Sequence, residues 1–200
     1  TIADVSAETV EITATSVGFA VRDVRATAEF TVTGGDIERV QGISAPHVAL
    51  HNVLASTLCD VSAASVSVTH DAMVEFLLQV TNVTADALRC DGQFVVLRDA
   101  VVTSLGLRNA SHVSIANALT GVVADTVELE LLGNVLIDNV TAAIALTDSH
   151  AFAITGSAVS TLNATRSTVE HVASSTVGFL TAAENGAVTL ADLTVPAVAF

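Results

Sequence analysis

Residues 48–68 read Val48-Ala-Leu50-His-Asn-Val53-Leu-Ala-Ser-Thr-Leu58-Cys-Asp-Val61-Ser-Ala-Ala-Ser-Val66-Ser-Val68, opening and closing on the same apolar–small–apolar triplet 18 residues apart. Successive side chains of a strand point to opposite faces, so such a triplet buries its outer residues and turns the middle one to water. Triplets of this kind recur in both directions. Val10-Glu-Ile12 and Phe30-Thr-Val32 precede it, and Leu88-Arg-Cys90, Val113-Ser-Ile115 and Leu129-Glu-Leu131 follow. Phe152-Ala-Ile154, Val169-Glu-His171 and Val188-Thr-Leu190 complete the series, with steps of 16 to 25 residues. A second apolar anchor falls seven or eight residues into the step, as in Val10 to Val17, Phe30 to Ile37 and Val169 to Val177.

Three sides of six or seven residues make one turn of about 20 residues, and a turn of that size cannot bury its apolar face alone. The pattern therefore predicts an all-β parallel β-helix, a solenoid of about ten short coils occupying residues 1–200 as a single domain. The alternative is an antiparallel β-sandwich, whose short strands have similar spacing. Hairpin signals are scarce, with Asp91-Gly92 and Asn185-Gly186 the clear examples, and no tryptophan exists to fill a sandwich core. Met73, Phe76, Leu77 and Val80 follow helical spacing, but a strand at Val74–Val80 fits the coil count better.

Composition narrows the classes. The chain is 51% hydrophobic and 4% aromatic, with 32 Val, 33 Ala, 24 Thr, 16 Ser and no Lys, which excludes a disordered polar chain. Its net charge of −14 repels nucleic-acid phosphates and anionic lipid. Mean hydropathy is high at +0.64, yet every apolar run is broken within a few residues, far short of the 18 or so that a membrane span needs. Neither the first coil nor the apolar tail Val195-Pro-Ala-Val-Ala-Phe200 carries an evident cap. The chain is therefore expected to continue into further solenoid coils or to join other chains end to end.

Candidate functional residues are few. Four Asn-x-Ser/Thr sequons begin at Asn82, Asn109, Asn139 and Asn163. They are readable as N-glycosylation sites or as tight turns at coil corners, and the two readings are compatible. Cys59 and Cys90 are either buried free thiols or a disulfide. His47 and His51 have the i, i+4 spacing of a helical metal site, but on a strand they lie about 13 Å apart, too far to share one ion. No cofactor, metal or catalytic constellation is expected. Thr13-Ala-Thr15 and Thr31-Val-Thr33 lie one coil apart and would stack as a short threonine ladder, but later coils do not sustain it beyond Ser65-Val-Ser67-Val-Thr69, and ordinary outward strand threonines are the better reading.

In coil length, apolar-x-apolar rungs and Asn-containing turns, the chain resembles the pectate-lyase-like right-handed β-helix superfamily. That resemblance implies the fold. It does not bring the enzymes' machinery, since the chain has no Asp-Asp pair, no Gly-His-Gly turn and no lysine. In style it is closer to non-catalytic surface and adhesin-type β-helix proteins. The expectation is an extracellular or cell-surface structural or adhesive module whose partners are protein chains, further coils or cell-surface glycans. The alternative is a polysaccharide-binding or polysaccharide-cleaving β-helix working through Glu75, Asp86, Asp91 and Asp99, provided they converge on one face.

Overall fold

The computed structural model describes residues 1–14, 17–71, 77–91, 94–108, 116–184 and 187–190. It is all-β, and no α-helix occurs among the described residues. The strands are β1 (Ile2–Thr13), β2 (Val17–Thr33), β3 (Asp36–Ser44), β4 (His47–His51), β5 (Leu54–Thr69) and β6 (Leu77–Asp91). Then come β7 (Phe94–Arg108), β8 (Ala116–Thr120), β9 (Val123–Glu130), β10 (Asn134–Asp138) and β11 (Thr141–Thr147). β12 (His150–Thr155), β13 (Ala158–Thr165), β14 (Thr168–Ala173), β15 (Thr176–Ala183) and β16 (Ala187–Leu190) follow. Every pairing between them is parallel. The chain is a right-handed parallel β-helix of about nine turns.

One turn shows how the sequence closes the coil. Asp36–Gln41 forms the first side and Gly42, at φ +67°, turns the chain. Ile43–Ala45 makes a short second side, Pro46 marks a bend, and His47–His51 forms the third side. Asn52, at φ +52°, turns the chain back onto the first side one level up. Two left-handed corners per turn are thus required, and Gly, Asn and Asp tolerate that conformation best. The first corner stacks Asp4, Asp23, Gly42, Asp60, Asn82, Asp99, Gly121, Asn139, Gly156 and Ser174, all at positive φ. Stacked asparagine corners were expected; aspartate and glycine share the column with them.

Some glycines are fixed by their neighbours as well as by φ. A Cβ on Gly42 would lie 2.6 Å from Asp23 Oδ1, and one on Gly121 would lie 2.9 Å from Asp99 Oδ1. At these two levels, Asp23 to Gly42 and Asp99 to Gly121, the aspartate corner is followed one level up by a residue with no side chain.

The core runs the length of the stack. On the third side Val10, Phe30, Val48, Val66, Leu88, Leu105, Val127, Ile144, Leu162 and Leu180 stand in register. All are buried. The first five are the anchors of the first five sequence triplets. Beyond Leu88 the triplet series leaves this column: Leu129-Glu-Leu131 runs out of the sheet into a corner. Phe152-Ala-Ile154 and Val169-Glu-His171 belong to the first side. Phe152 was expected inside, but a register shift between β10 and β12 turns it out and leaves it 53% exposed.

The threonine ladder is also re-paired. Thr13 meets Thr33 and Thr31 meets Glu11, while Thr15 lies outside the described residues. The strand expected at Val74–Val80 begins, within the described residues, at Leu77. Val113-Ser-Ile115, the residues Gly92, Asn185 and Gly186 of the turn dipeptides, and the tail 191–200 lie outside them.

In the last turns Ser follows four of the corners, where most earlier corners are followed by Val, Ile or Leu. Ser149, Ser157, Ser167 and Ser175 are buried, and each hydroxyl donates to the carbonyl two residues back. Each also accepts a backbone N–H from the level below, as Ser157 Oγ does from Val140 at 3.1 Å. These serines are therefore satisfied where an isolated buried hydroxyl would be costly. In sequence they follow Asp148, Gly156, Arg166 and Ser174, a corner-then-serine signal alternating at 8 and 10 residues.

Candidate functional site

Outward residues form columns up each side, because the parallel register repeats every coil. Three zones stand out. On the third side, Arg89, Asp91, Arg108, Glu128 and Glu130 surround Gly106 in a notch of about 80 Å³. Arg89 Nε donates to Asp91 Oδ2 at 2.8 Å, and Arg108 Nε lies 3.5 Å from Glu130 Oε2. On the second side, Val101 and Val123 stack in register and are half exposed, with Asp86 and Asp125 lining the same depression.

The third zone spans the second corner and the first side. A cleft of about 310 Å³ is lined by Leu131, Leu132, Asp148, Ser149, His150, Arg166 and Thr168. Leu131, Asp148 and Arg166 are successive corner residues at positive φ. Arg166 Nε and Nη2 donate to Asp148 at 2.7 and 2.8 Å, and Nη1 donates to Glu184 at 2.6 Å. Those bonds to Asp148, then to Glu184, push the guanidinium above its ordinary range. Beside the cleft, His150 Nδ1 lies 3.0 Å from Asn134 Oδ1, and Nε2 lies 2.9 Å from Glu170 Oε1. Next to these, Phe152 and His171 meet edge to face at 6.2 Å.

The sequence-derived site residues scatter. Asn82 and Asn139 are exposed first-corner residues at positive φ, while Asn163 is exposed on a third-side strand. Asn109 lies outside the described residues. Asn82 Nδ2 donates to Asp60 Oδ1 at 2.8 Å, so this sequon also serves as a corner link between levels.

Cys59 and Cys90 are both free thiols. Cys59 pairs across rungs with Gln41 and Thr81 on the first side, whereas Cys90 faces the core of the third side between Val68 and Leu107. Burial, then Asp91, pushes the Cys90 thiol up to about 12, and burial raises Cys59. Both stay protonated and weakly nucleophilic at neutral pH.

Asp86 at the second-side depression, Asp91 at the third-side notch and Asp99 on the first corner occupy three different parts of the coil, and Glu75 lies outside the described residues. The three described carboxylates do not converge. No group of three or more metal-ligating side chains occurs among the described residues. His47 and His51 turn instead to rung neighbours, Nδ1 to Ser65 Oγ at 2.8 Å and to Thr69 Oγ1 at 3.0 Å.

The corner column also carries a titration signature. Bonds from Asn82, then Gln41, hold the Asp60 carboxyl below its ordinary value of 3.8. A depressed folded value stabilises the fold above the unfolded one, and that contribution is lost as pH falls through the folded value. Asp60→Asn keeps the corner's conformational tolerance without the charge. The stability advantage of the parent over this variant should be full near neutral pH and should shrink on acidification below 3.8, read as the difference in Tm across a pH series. A difference constant down to strong acid would contradict the linkage.

No helix among the described residues is long and apolar enough to cross a membrane. No protein-family model, curated protein or solved structure matches the chain. What is established is therefore the architecture, a parallel β-solenoid.

Proposed function

We propose that this chain is an extracellular or cell-surface structural or adhesive module, non-catalytic, similar in style to surface members of the pectate-lyase-like β-helix superfamily. The observation that carries the reading is the unbroken parallel stack from β1 to β16, which presents long flat sides while burying one continuous core. Such a body transmits length and displays repeated side chains, which suits assembly and surface contact better than enclosure of a substrate. β1 stands at one end of the strand order and pairs with β2. Its other edge is a template for a further coil or another chain.

The exposed sequons at Asn82, Asn139 and Asn163 support the compartment. An amide nitrogen has two hydrogens, so a glycan on Asn82 Nδ2 leaves one for Asp60. The test is to express the chain through the secretory pathway of a eukaryotic cell and measure intact mass before and after N-glycosidase treatment. A mass loss that disappears in the Asn82→Gln/Asn109→Gln/Asn139→Gln/Asn163→Gln variant is expected. Unmodified protein at full secretion would remove this support for the extracellular assignment.

A further inference from the structure

The first side of the upper turns carries an apolar face that no element among the described residues covers. Leu136 and Phe152 are 38% and 53% exposed, and Ala153 lies flat between Leu136 and His171 in the rung register. The phenyl ring is held by a near-perpendicular contact with the His171 ring, centroids 6.2 Å apart. Glu170 occupies the level above Phe152, between the pairs Ala151↔Val169 and Ala153↔His171. Its carboxylate is oriented by His150, which is itself steadied by Asn134. The ring and the carboxylate are thus held in place before anything binds. The cleft that continues from His150 toward the second corner adds an apolar wall, Leu131, and the carboxylates of Asp148 and Glu184 around Arg166.

Charge decides what fits. Around this face stand three carboxylates, Asp148, Glu170 and Glu184, against one guanidinium, Arg166, whose donors are already turned to Asp148 and Glu184, and the imidazoles of His150, bonded to Glu170, and His171. The whole chain carries −14 and has no lysine. An anionic partner is repelled at long range, whereas a cationic one is steered in. An exposed aromatic face beside a fixed carboxylate is the arrangement that attracts an ammonium or guanidinium group, through the ring quadrupole and the charge together.

Bulk at the corner points the same way. Leu131 holds φ +57°, where a leucine is unfavourable and Gly or Asn would cost less. An apolar side chain thus stands at a position that the backbone alone disfavours, as the polar side chains of Asp148, Arg166 and Glu184 do at the same corner above it.

We propose that this face is a docking site for a basic peptide segment of a partner protein, with an Arg or Lys side chain seated on Phe152 and its charge toward Glu170. The proposal does not depend on the compartment assigned above, so neither failure entails the other.

The test uses the full chain and a fluorescein-labelled peptide of three arginines spaced by glycines, with fluorescence anisotropy as the readout. Phe152→Ala and Glu170→Gln change exposed or half-exposed side chains, and circular dichroism and thermal melts confirm folding. Each is expected to weaken binding about fivefold or more, with binding falling as salt rises. Phe179→Ala is the control: that ring is also exposed, but it sits on the third side with Thr161 as its rung partner. It should bind as the parent does.

Equal affinity for the parent and Phe152→Ala would overturn the proposal, because binding would then follow net charge alone. Equal losses in Phe152→Ala and Phe179→Ala, or no binding at millimolar peptide, would also overturn it. A neutral oligosaccharide that perturbs Phe152 where the peptide does not would reassign the face to a glycan.

Discussion

Phe30→Ala should cost about 3–5 kcal/mol, the range for emptying a buried phenyl site. Phe30 is fully buried and lies in register between Val10 below and Val48 above. Neither valine can extend into the space, since a β-branched side chain on a paired strand has little rotamer freedom. In a stack where each level touches only its neighbours, the loss is local before it is global. The strand below, β1, is tied to the body through β2. Hydrogen exchange should therefore show residues 2–13 losing protection first, with β6 and β7 retaining theirs, and thermal unfolding should start earlier. Uniform loss of protection along the whole chain would contradict nearest-neighbour coupling, and unchanged protection would contradict the packing.

The second large effect comes from two glycines that one substitution should separate in sign. A Cβ on Gly178 would fall 2.5 Å from the Ser160 carbonyl oxygen. That oxygen is backbone, and the pairs Val159↔Val177 and Thr161↔Phe179 fix the two rungs on either side of it. Gly178→Ala must push the rungs apart, at a cost of about 1–3 kcal/mol. A Cβ on Gly106 would meet only Arg89 Cγ, at 3.9 Å, an ordinary contact, and its backbone is not in the left-handed region. Gly106→Ala should therefore stabilise by about 0.4–1 kcal/mol, by restricting the unfolded chain. Tm values of the two variants, measured together, should move in opposite directions. Movement in the same direction would mean that the rung spacing at one of the two sites is wrong.

The sequence carried the fold further in its first half than in its second. From Val10 to Leu88 the third side offers a clear triplet in every turn, and each proved to be in register. After that the third-side triplets are Leu105-Gly-Leu107, Val127-Glu-Leu129, Ile144-Ala-Leu146 and Leu162-Asn-Ala164. First-side segments such as Ala151–Ile154 are equally rich in apolar residues, so alternation alone cannot say which side a triplet belongs to. The corners would have settled it. Asp4, Asp23, Gly42, Asp60, Asn82, Asp99, Gly121 and Asn139 recur once per coil, each followed by an apolar residue. Aspartate in that role reads as an ordinary surface acid until its φ is known.

The candidate surfaces were less legible still. Phe152 has the sequence pattern of a core residue and is exposed because β12 shifts register against β10. His150 and Glu170 are 20 residues apart and meet only because adjacent levels stack. Arg166 reaches Asp148 and Glu184, each 18 residues away, for the same reason.

Recurrence of the apolar triplets about every 20 residues and the rarity of hairpin turns favoured a parallel β-solenoid over a β-sandwich, since both are legible along the chain itself. Which polar groups share a surface was decided by the tertiary structure. Coils of unequal length and local register shifts change what lies above each residue, and a one-residue slip exchanges the inner face for the outer.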